Sequence, residues 1–189
     1  SATAIDNKPW KKRLDVKANW LLAQPFFNYT YKFGKGFTLN TGIFSQFMTL
    51  NNTFSVEPRA GIKWSVNDKN MLSLGYGMHS QAQPYYIYLQ EHTSGQQENK
   101  SLPFMRSTHY VLGYDNALTP YLRIKLETYY QRLNNIPVDT FPSSYSVLNE
   151  GTSFDRYFPG KLVADGTAEN YGVELTVEKF YNHNYFFMF

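Results

Sequence analysis

SVEPRAGIKWSVNDKNMLSLGYGMHSQ, residues 55–81, decides how the chain folds. From Val56 to Val66 the even positions are Val56, Pro58, Ala60, Ile62, Trp64 and Val66, and the odd ones are Glu57, Arg59, Gly61, Lys63 and Ser65. Side chains of a strand point alternately to its two faces, so this run has one apolar and one charged face. Asn67-Asp68-Lys69-Asn70 is a polar turn cluster. The alternation then resumes, with Leu72, Leu74, Tyr76 and Met78 on one side and Ser73, Gly75, Gly77, His79 and Gln81 on the other. The stretch is a long antiparallel hairpin, and the question it poses is which solvent each face meets.

The same pattern extends outward in both directions. Upstream, a strand from about Leu14 to Phe33, with an irregularity at Pro25, sets Phe27, Tyr29, Tyr31 and Phe33 against Asn28, Thr30 and Lys32. Gly34-Lys35-Gly36 makes a tight turn, glycine supplying the positive φ. A more weakly alternating strand follows from Phe37 to about Leu50. Downstream, the polar segment Ala82–Pro103 separates the hairpin from a strand at Met105–Leu118. Tyr121 to about Leu133 alternates regularly, with Leu122, Ile124, Leu126, Thr128 and Tyr130 opposed to Arg123, Lys125, Glu127, Tyr129 and Gln131. A long loop is expected over about Asn134–Glu169. Tyr171, Val173, Leu175 and Val177 then face away from Gly172, Glu174, Thr176 and Glu178. Residues 1–12 carry no pattern. The expectation is an all-β fold, an antiparallel up-and-down meander of about eight long strands with no helix, as part of a transmembrane β-barrel.

Composition suits that architecture. Aromatic residues make up 18% of the 189, with 16 Tyr and 15 Phe, although the chain is polar on average. Sheets that mix apolar and polar residues within each strand produce this combination. No run approaches the ~20 apolar residues of a membrane-crossing helix. A net charge of +3 with no basic block gives no footprint for nucleic acid. The absence of cysteine excludes disulfides and thiolate metal sites. The chain begins at Ser1 without a signal-peptide pattern, so a leader is absent, processed or outside these residues.

Three features favour lipid over water for the apolar face. The runs match the 9–11 residues that span a bilayer and exceed the ~5–6 of ordinary strands. Aromatic residues gather near strand ends, at Phe33, Phe37, Trp64, Tyr110, Tyr121, Tyr130 and Phe180. The apolar faces carry no charge in their middles, where Lys or Arg would cost ~2–4 kcal/mol. Short turns alternate with long connections, as the two rims of such a barrel require. Glu57, Arg59, Lys63, His79, Arg123, Lys125, Glu127, Glu174 and Glu178 are then expected to line a wet lumen, because so many charges would need pairing in a dry core.

Candidate chemistry is sparse. His79, His92, His109 and His183 lack metal-ligand spacing, and polar lining is the simpler reading, with no metal and no cofactor expected. Glu174 and Glu178 share a face, as glycosidase carboxylates would, but the Lys and Arg nearby point to ion pairing and no catalytic residue is assigned. The Ser-rich FPSSYS lacks a nucleophile-elbow context, and Gly75-Tyr76-Gly77 lacks the lysine and helix of a phosphate loop. Tyr85, Tyr86 and Tyr88 form an aromatic loop segment that would stack on a flat or sugar-like solute, or else belong to a rim girdle. Two rival architectures remain: a complete small eight-stranded outer-membrane barrel with an adhesive, structural or enzymatic role, and a soluble β-barrel binding a small ligand.

EPRAGIKW, LSLGYGMHSQAQP, HYVLGYD-x-ALTP, LRIKLETYYQ with Pro137-Val138 downstream, and DGTAENYGVELTVEKF resemble successive barrel strands of TonB-dependent outer-membrane receptors. The similarity is to the branch with a carboxypeptidase-regulatory-like N-terminal domain and runs from about Leu22 to Phe189. It implies a non-enzymatic importer of the Gram-negative bacterial outer membrane, with ~22 strands around a plug. Its partners would be outer-membrane lipid, TonB through the missing N-terminal part, and an imported solute such as a glycan, a siderophore or similar chelate, or a peptide. On this reading residues 1–189 are one part of a receptor barrel, with plug and remaining strands absent.

Overall fold

The hairpin forms as the alternation requires. The computed structural model describes residues 14–91, 95–149 and 158–189. In it β4 (Thr53–Ser65) and β5 (Asn70–Gln81) run antiparallel, with Arg59 opposite Gly77 and Trp64 opposite Leu72. Asn67 closes the turn, its Oδ1 accepting the backbone N–H of Lys69 and of Asn70 at 2.9 Å each. Before the hairpin come β1 (Leu22–Ala23), β2 (Phe26–Phe33) and β3 (Phe37–Met48). After it come β6 (Met105–Thr119), β7 (Leu122–Asp139), β8 (Leu162–Asn182) and β9 (Tyr185–Met188). Every pairing is antiparallel: β1 and β2 both lie on β3, and from β3 each strand pairs with the next, through to β9. Among the described residues β2 and β9 do not pair, so the sheet is open and does not close into a small eight-stranded barrel.

The split between β1 and β2 falls at Gln24-Pro25, because proline cannot donate to the ladder. The Pro25 carbonyl still accepts the Ser45 N–H at 3.0 Å, which keeps the two pieces aligned. Gly34 and Gly36 adopt φ of 56° and 84° in the turn between β2 and β3. A Cβ on Gly36 would lie 2.4 Å from the Ser65 carbonyl oxygen, so that turn admits nothing larger. His183 and Asn184, at φ 54° and 67°, make the equivalent left-handed turn before β9.

The register aligns side chains into rows across the sheet. On the apolar face one row runs Tyr31, Leu39, Ile62, Leu74, Leu112, Thr128, Val173. Beside it Tyr76, Tyr110, Tyr130 and Tyr171 form a tyrosine row. On the other flank Phe33, Phe37 and Trp64 stack at centroid spacings of 5.5 and 5.3 Å. Among the described residues nothing covers this face: Leu74, Leu112 and Val173 are 55%, 54% and 69% exposed. The Leu, Ile and Val side chains do not meet across a dry interior as a soluble barrel would require.

The dry core lies instead at one rim. Met48 at the end of β3 packs with a short helix α1 (Tyr85–Leu89), Leu102, Phe104, Val147 and Leu162. Two sequence expectations are corrected here. The segment expected to be loop throughout contains α1, which starts after Pro84 and has Tyr86 through Leu89 buried. With every side chain but one turned inward it shows no helical stripe, and Pro at its start is the only helix signal. The loop expected over Asn134–Glu169 is shorter, since β7 continues to Asp139 and β8 begins at Leu162. Ile136 and Pro137 are buried and the register shifts on both sides of Ile136, which removes the period-two pattern. Among the described residues no helix is long and apolar enough to cross a membrane, a statement that does not bear on strands.

Candidate functional site

The reverse face of the sheet carries the charges, ordered by the same register. Lys63, Ser73, Gly113, Glu127 and Glu174 share one row. The adjoining positions are Asp115 opposite Lys125, and Arg123 opposite Glu178. Asp115 receives Arg123 Nε on both oxygens at 2.9 Å, and Arg123 also stands 3.9 Å from Glu178. Lys125 pairs with Glu127. These five side chains form a lattice at the rim of short turns, where glycine at 113 leaves space for the Ser73 hydroxyl.

Toward the cap, the polar face changes character. Glu57 is 1% exposed in its side chain, and its carboxylate accepts Gln46 Nε2 at 2.7 Å, Ser55 Oγ at 3.0 Å and an Arg59 guanidinium nitrogen at 3.2 Å. Three donors satisfy an enclosed carboxyl group that has lost contact with water. Gln46 also donates to the Ser80 carbonyl at 2.7 Å, which ties β3 across β4 to β5. His79 and His109 meet edge to face at 5.0 Å. Ser107 Oγ lies 2.7 Å from His109 Nε2, and Gln131 Nε2 donates to Ser107 Oγ at 2.8 Å. Two hollows of about 390 and 440 Å³ lie here, sharing His79, Ser80 and Gln81.

All nine residues expected on the polar side fall on this one face, though not as one site. Arg123, Lys125, Glu127 and Glu178 belong to the lattice; Glu57, Arg59 and His79 belong to the region beneath the cap. Lys63 and Glu174 lie in the lattice row and make no ion pair among the described residues. Sequence reasoning does not single out Asp115, Ser107, Gln131 or Gln46, and reads His109 as polar lining. Their parity with Gly113 or Arg59 was the available signal, but parity without register does not show which residues touch.

The aromatic segment is divided by α1. Tyr85 is 52% exposed, whereas Tyr86 and Tyr88 are 7% and 1% exposed and sit inside the dry cluster. Tyr86 packs against the Phe158 ring at 5.5 Å, and the Tyr88 hydroxyl accepts the Gln83 N–H at 3.1 Å. Burial raises the Tyr88 pKa above the usual phenol value, with the Gln83 bond opposing in part. Of the three, Tyr85 alone offers a ring face to solution. His92 lies outside the described residues, and His183 sits in the β8–β9 turn. Among the described residues no three metal-ligating side chains gather at one point.

The cap is fastened by two asparagines. Asn99, fully enclosed, donates to the Gly160 carbonyl at 2.9 Å and accepts the Leu162 N–H at 2.8 Å. Asn51, in the β3–β4 turn, donates to the carbonyls of Lys100 and Leu102 at 3.0 Å each. Three separate connections are therefore joined at one rim.

An open antiparallel meander with one bare apolar face, one charged face and a loop cap at a single rim is the architecture of an outer-membrane barrel wall. Among solved structures it is similar to the alcaligin outer membrane receptor FauA from Bordetella pertussis, with a TM-score of 0.52 and 18% sequence identity. The match covers 85% of this chain and 27% of that receptor. At this identity the likeness concerns the fold, and the chain spans about a quarter of that protein's length. No family model and no curated protein sequence matches.

Proposed function

We propose that residues 1–189 form part of the wall of an outer-membrane importer, with the apolar face in lipid and the polar face along a passage for a solute taken up at the capped rim. The observation that carries this reading is the pairing of an uncovered apolar band with a charged reverse face in one open sheet. Lipid is the environment in which such a band is satisfied, and further strands are what its two free edges need. The tyrosine row and the Phe33–Phe37–Trp64 stack stand where interfacial girdles belong.

The parent protein on this reading is a TonB-dependent receptor of a Gram-negative bacterium. TonB supplies energy through a part outside these residues, and the cap with Tyr85 meets a glycan, chelate or peptide. The chain itself performs no catalysis: its ionic pairs hold the wall together and set the charge that a passing solute meets.

Single cysteines separate the faces, since the chain has none of its own. Ser73→Cys and Thr176→Cys on the polar face should react with a membrane-impermeant maleimide in outer-membrane vesicles. Leu74→Cys, Leu112→Cys and Val173→Cys should be protected there, and a spin label attached at those positions in detergent should be quenched by dissolved oxygen. Equal reaction on both faces, or dispersal of the protein in water without detergent, would overturn the proposal.

A further inference from the structure

The two hollows beneath the cap meet at His79, one lined also by Arg59 and the other by His109. Arg59 on β4 and His109 on β6 are the cross-strand neighbours of Gly77. A Cβ on Gly77 would stand 3.1 Å from His79 Nε2 and 3.8 Å from Arg59 Cγ, so glycine there lets the His79 ring lie against the strand between those two side chains. Hydrogen-bond donors of three side chains gather over it. Arg59 is anchored by Glu57 and lies over the Phe44 ring at 5.1 Å, yet its enclosed Nε has no acceptor among the described residues. The Arg59 side chain is 42% exposed, so the rest of the guanidinium remains within reach of solution.

His109 is held in a side-chain network. Asn170 donates to Gln131 Oε1 at 3.0 Å, and Gln131 Nε2 stands 3.1 Å from His109 Nε2. With the amide in that orientation Nε2 accepts, and the ring proton is assigned to Nδ1 from the network. That N–H makes no hydrogen bond among the described residues, and the same holds for both ring nitrogens of His79.

Charge adds direction to these donors. The polar faces of β2–β5 carry Lys32, Arg59 and Lys63 against Glu57, whose oxygens are already occupied. Those of β6–β8 carry Asp115, Glu127, Glu174 and Glu178 against Arg123 and Lys125. The wall is thus polarised, cationic toward β2 and anionic toward β8, and Gly77 lies on the cationic side.

We propose that the niche bounded by Arg59, His79 and His109 over Gly77 binds an anionic oxygen group of the solute, the chemistry that a carboxylate and a phosphate ester share. The guanidinium supplies charge and a fork of donors, and the two imidazoles supply N–H groups from the neighbouring strands. This rests on the reading of the polar face as the wall of a passage.

The test uses the protein in detergent micelles with all flanking sequence retained and its histidine rings isotope-labelled for NMR. Citrate and glycerol phosphate are the probes, and maltotriose is the uncharged control. At least one anion should shift the His79 and His109 resonances with saturation, while maltotriose leaves them in place. Arg59→Gln should weaken that response about tenfold or more, as expected for loss of a charged hydrogen bond. His79→Gln, which removes no existing hydrogen bond, should weaken the response read at His109. A response to citrate without one to glycerol phosphate, or the reverse, assigns the niche to that group. No shift with either anion, an undiminished shift in Arg59→Gln, or saturation by maltotriose overturns the proposal. Maleimide labelling of Ser73→Cys in the same micelles separates the two levels. Reaction there with no anion response refutes the niche and leaves the wall; protection there refutes both.

Discussion

Leu112→Arg isolates the solvent of the apolar face. Leu112 lies in mid-row between Leu74 and Thr128, with Tyr110 two residues toward the cap and Tyr114 two residues toward the short turns. The Tyr114 hydroxyl donates to Asn70 Oδ1 at 2.6 Å, and Asn116 donates to the same atom at 2.6 Å, which marks the polar boundary on that side. Two residues of strand cover about 6.6 Å, or about 5 Å along the bilayer normal at the ~40° tilt of such barrels. Leu112 therefore sits near the centre of the band, and Thr108, four residues toward the cap on the same face and about 10 Å away along the normal, near the edge of a band ~25 Å tall. In lipid, arginine at the centre costs ~2–4 kcal/mol and near the interface ~0–1 kcal/mol. In water, either change at a partly exposed strand position would stay within about 0.5 kcal/mol. The expected difference between Leu112→Arg and Thr108→Arg is thus roughly 1–4 kcal/mol, about fivefold to several hundredfold in the folding equilibrium. It is measured by urea titration of the protein folded into phospholipid vesicles, followed by tryptophan fluorescence, with unchanged m-values certifying comparable states. Equal effects of the two substitutions would refute the placement of this face in lipid.

Three further outcomes follow from the cap and the wall. Asn99→Ala should leave the Leu162 N–H and the Gly160 carbonyl without their partner; at about 1–3 kcal/mol for each buried group, the cap should loosen by several kcal/mol, read as faster hydrogen exchange at Leu162. The Tyr88 phenol titrates above its unfolded value, so its contribution to cap stability is complete below about pH 10 and is lost as pH rises through the folded pKa. Tyr88→Phe should remove that alkaline loss, and an unchanged alkaline transition would assign it elsewhere. Gly172→Val should cost about 1–3 kcal/mol by overpacking, because a Cβ at Gly172 would lie 2.7 Å from the Tyr129 hydroxyl oxygen and 2.8 Å from Cζ of a ring lying flat on the glycine; Tyr129→Ala in the same background should restore the loss, and urea titration reads both.

How much of this was legible depended on whether one face or two were covered. From Thr53 to Gln81 and from Leu122 to Leu133 one face is bare, alternation persists, and the strands fall where the pattern places them. At Ile136 and Pro137 both sides are covered, alternation vanishes, and the strand reads as loop. The helix at Tyr85–Leu89 was hidden for the same reason, since a single turn buried nearly all round has no periodicity to detect. The polar face was legible as a face and illegible as a set of contacts. Glu57, Arg59 and His79 alternate correctly, but the Gln46–Glu57 bond and the His79–His109 contact depend on the register of β3 with β4 and of β5 with β6. Register is not written in parity.

The apolar side chains of this chain fall into two populations with different partners, and that division bears on how the molecule holds together. Those of the cap, such as Ile87, Leu102 and Phe104, meet one another and are dry. Their contribution follows ordinary burial, roughly 25 cal/mol for each Å² removed from water. Those of the wall, such as Leu74, Leu112 and Leu175, are more than half exposed among the described residues, and on the proposed reading they gain that term from lipid. The cap should therefore resist a change of detergent that dissolves the wall's order, and its asparagine bonds, fixed to the β3–β4 turn and the start of β8, should be the last contacts exchanged. A rim assembled independently of the lipid also gives the polar face beneath it a constant shape, and the donors around Gly77 require that constancy if they are to hold a ligand.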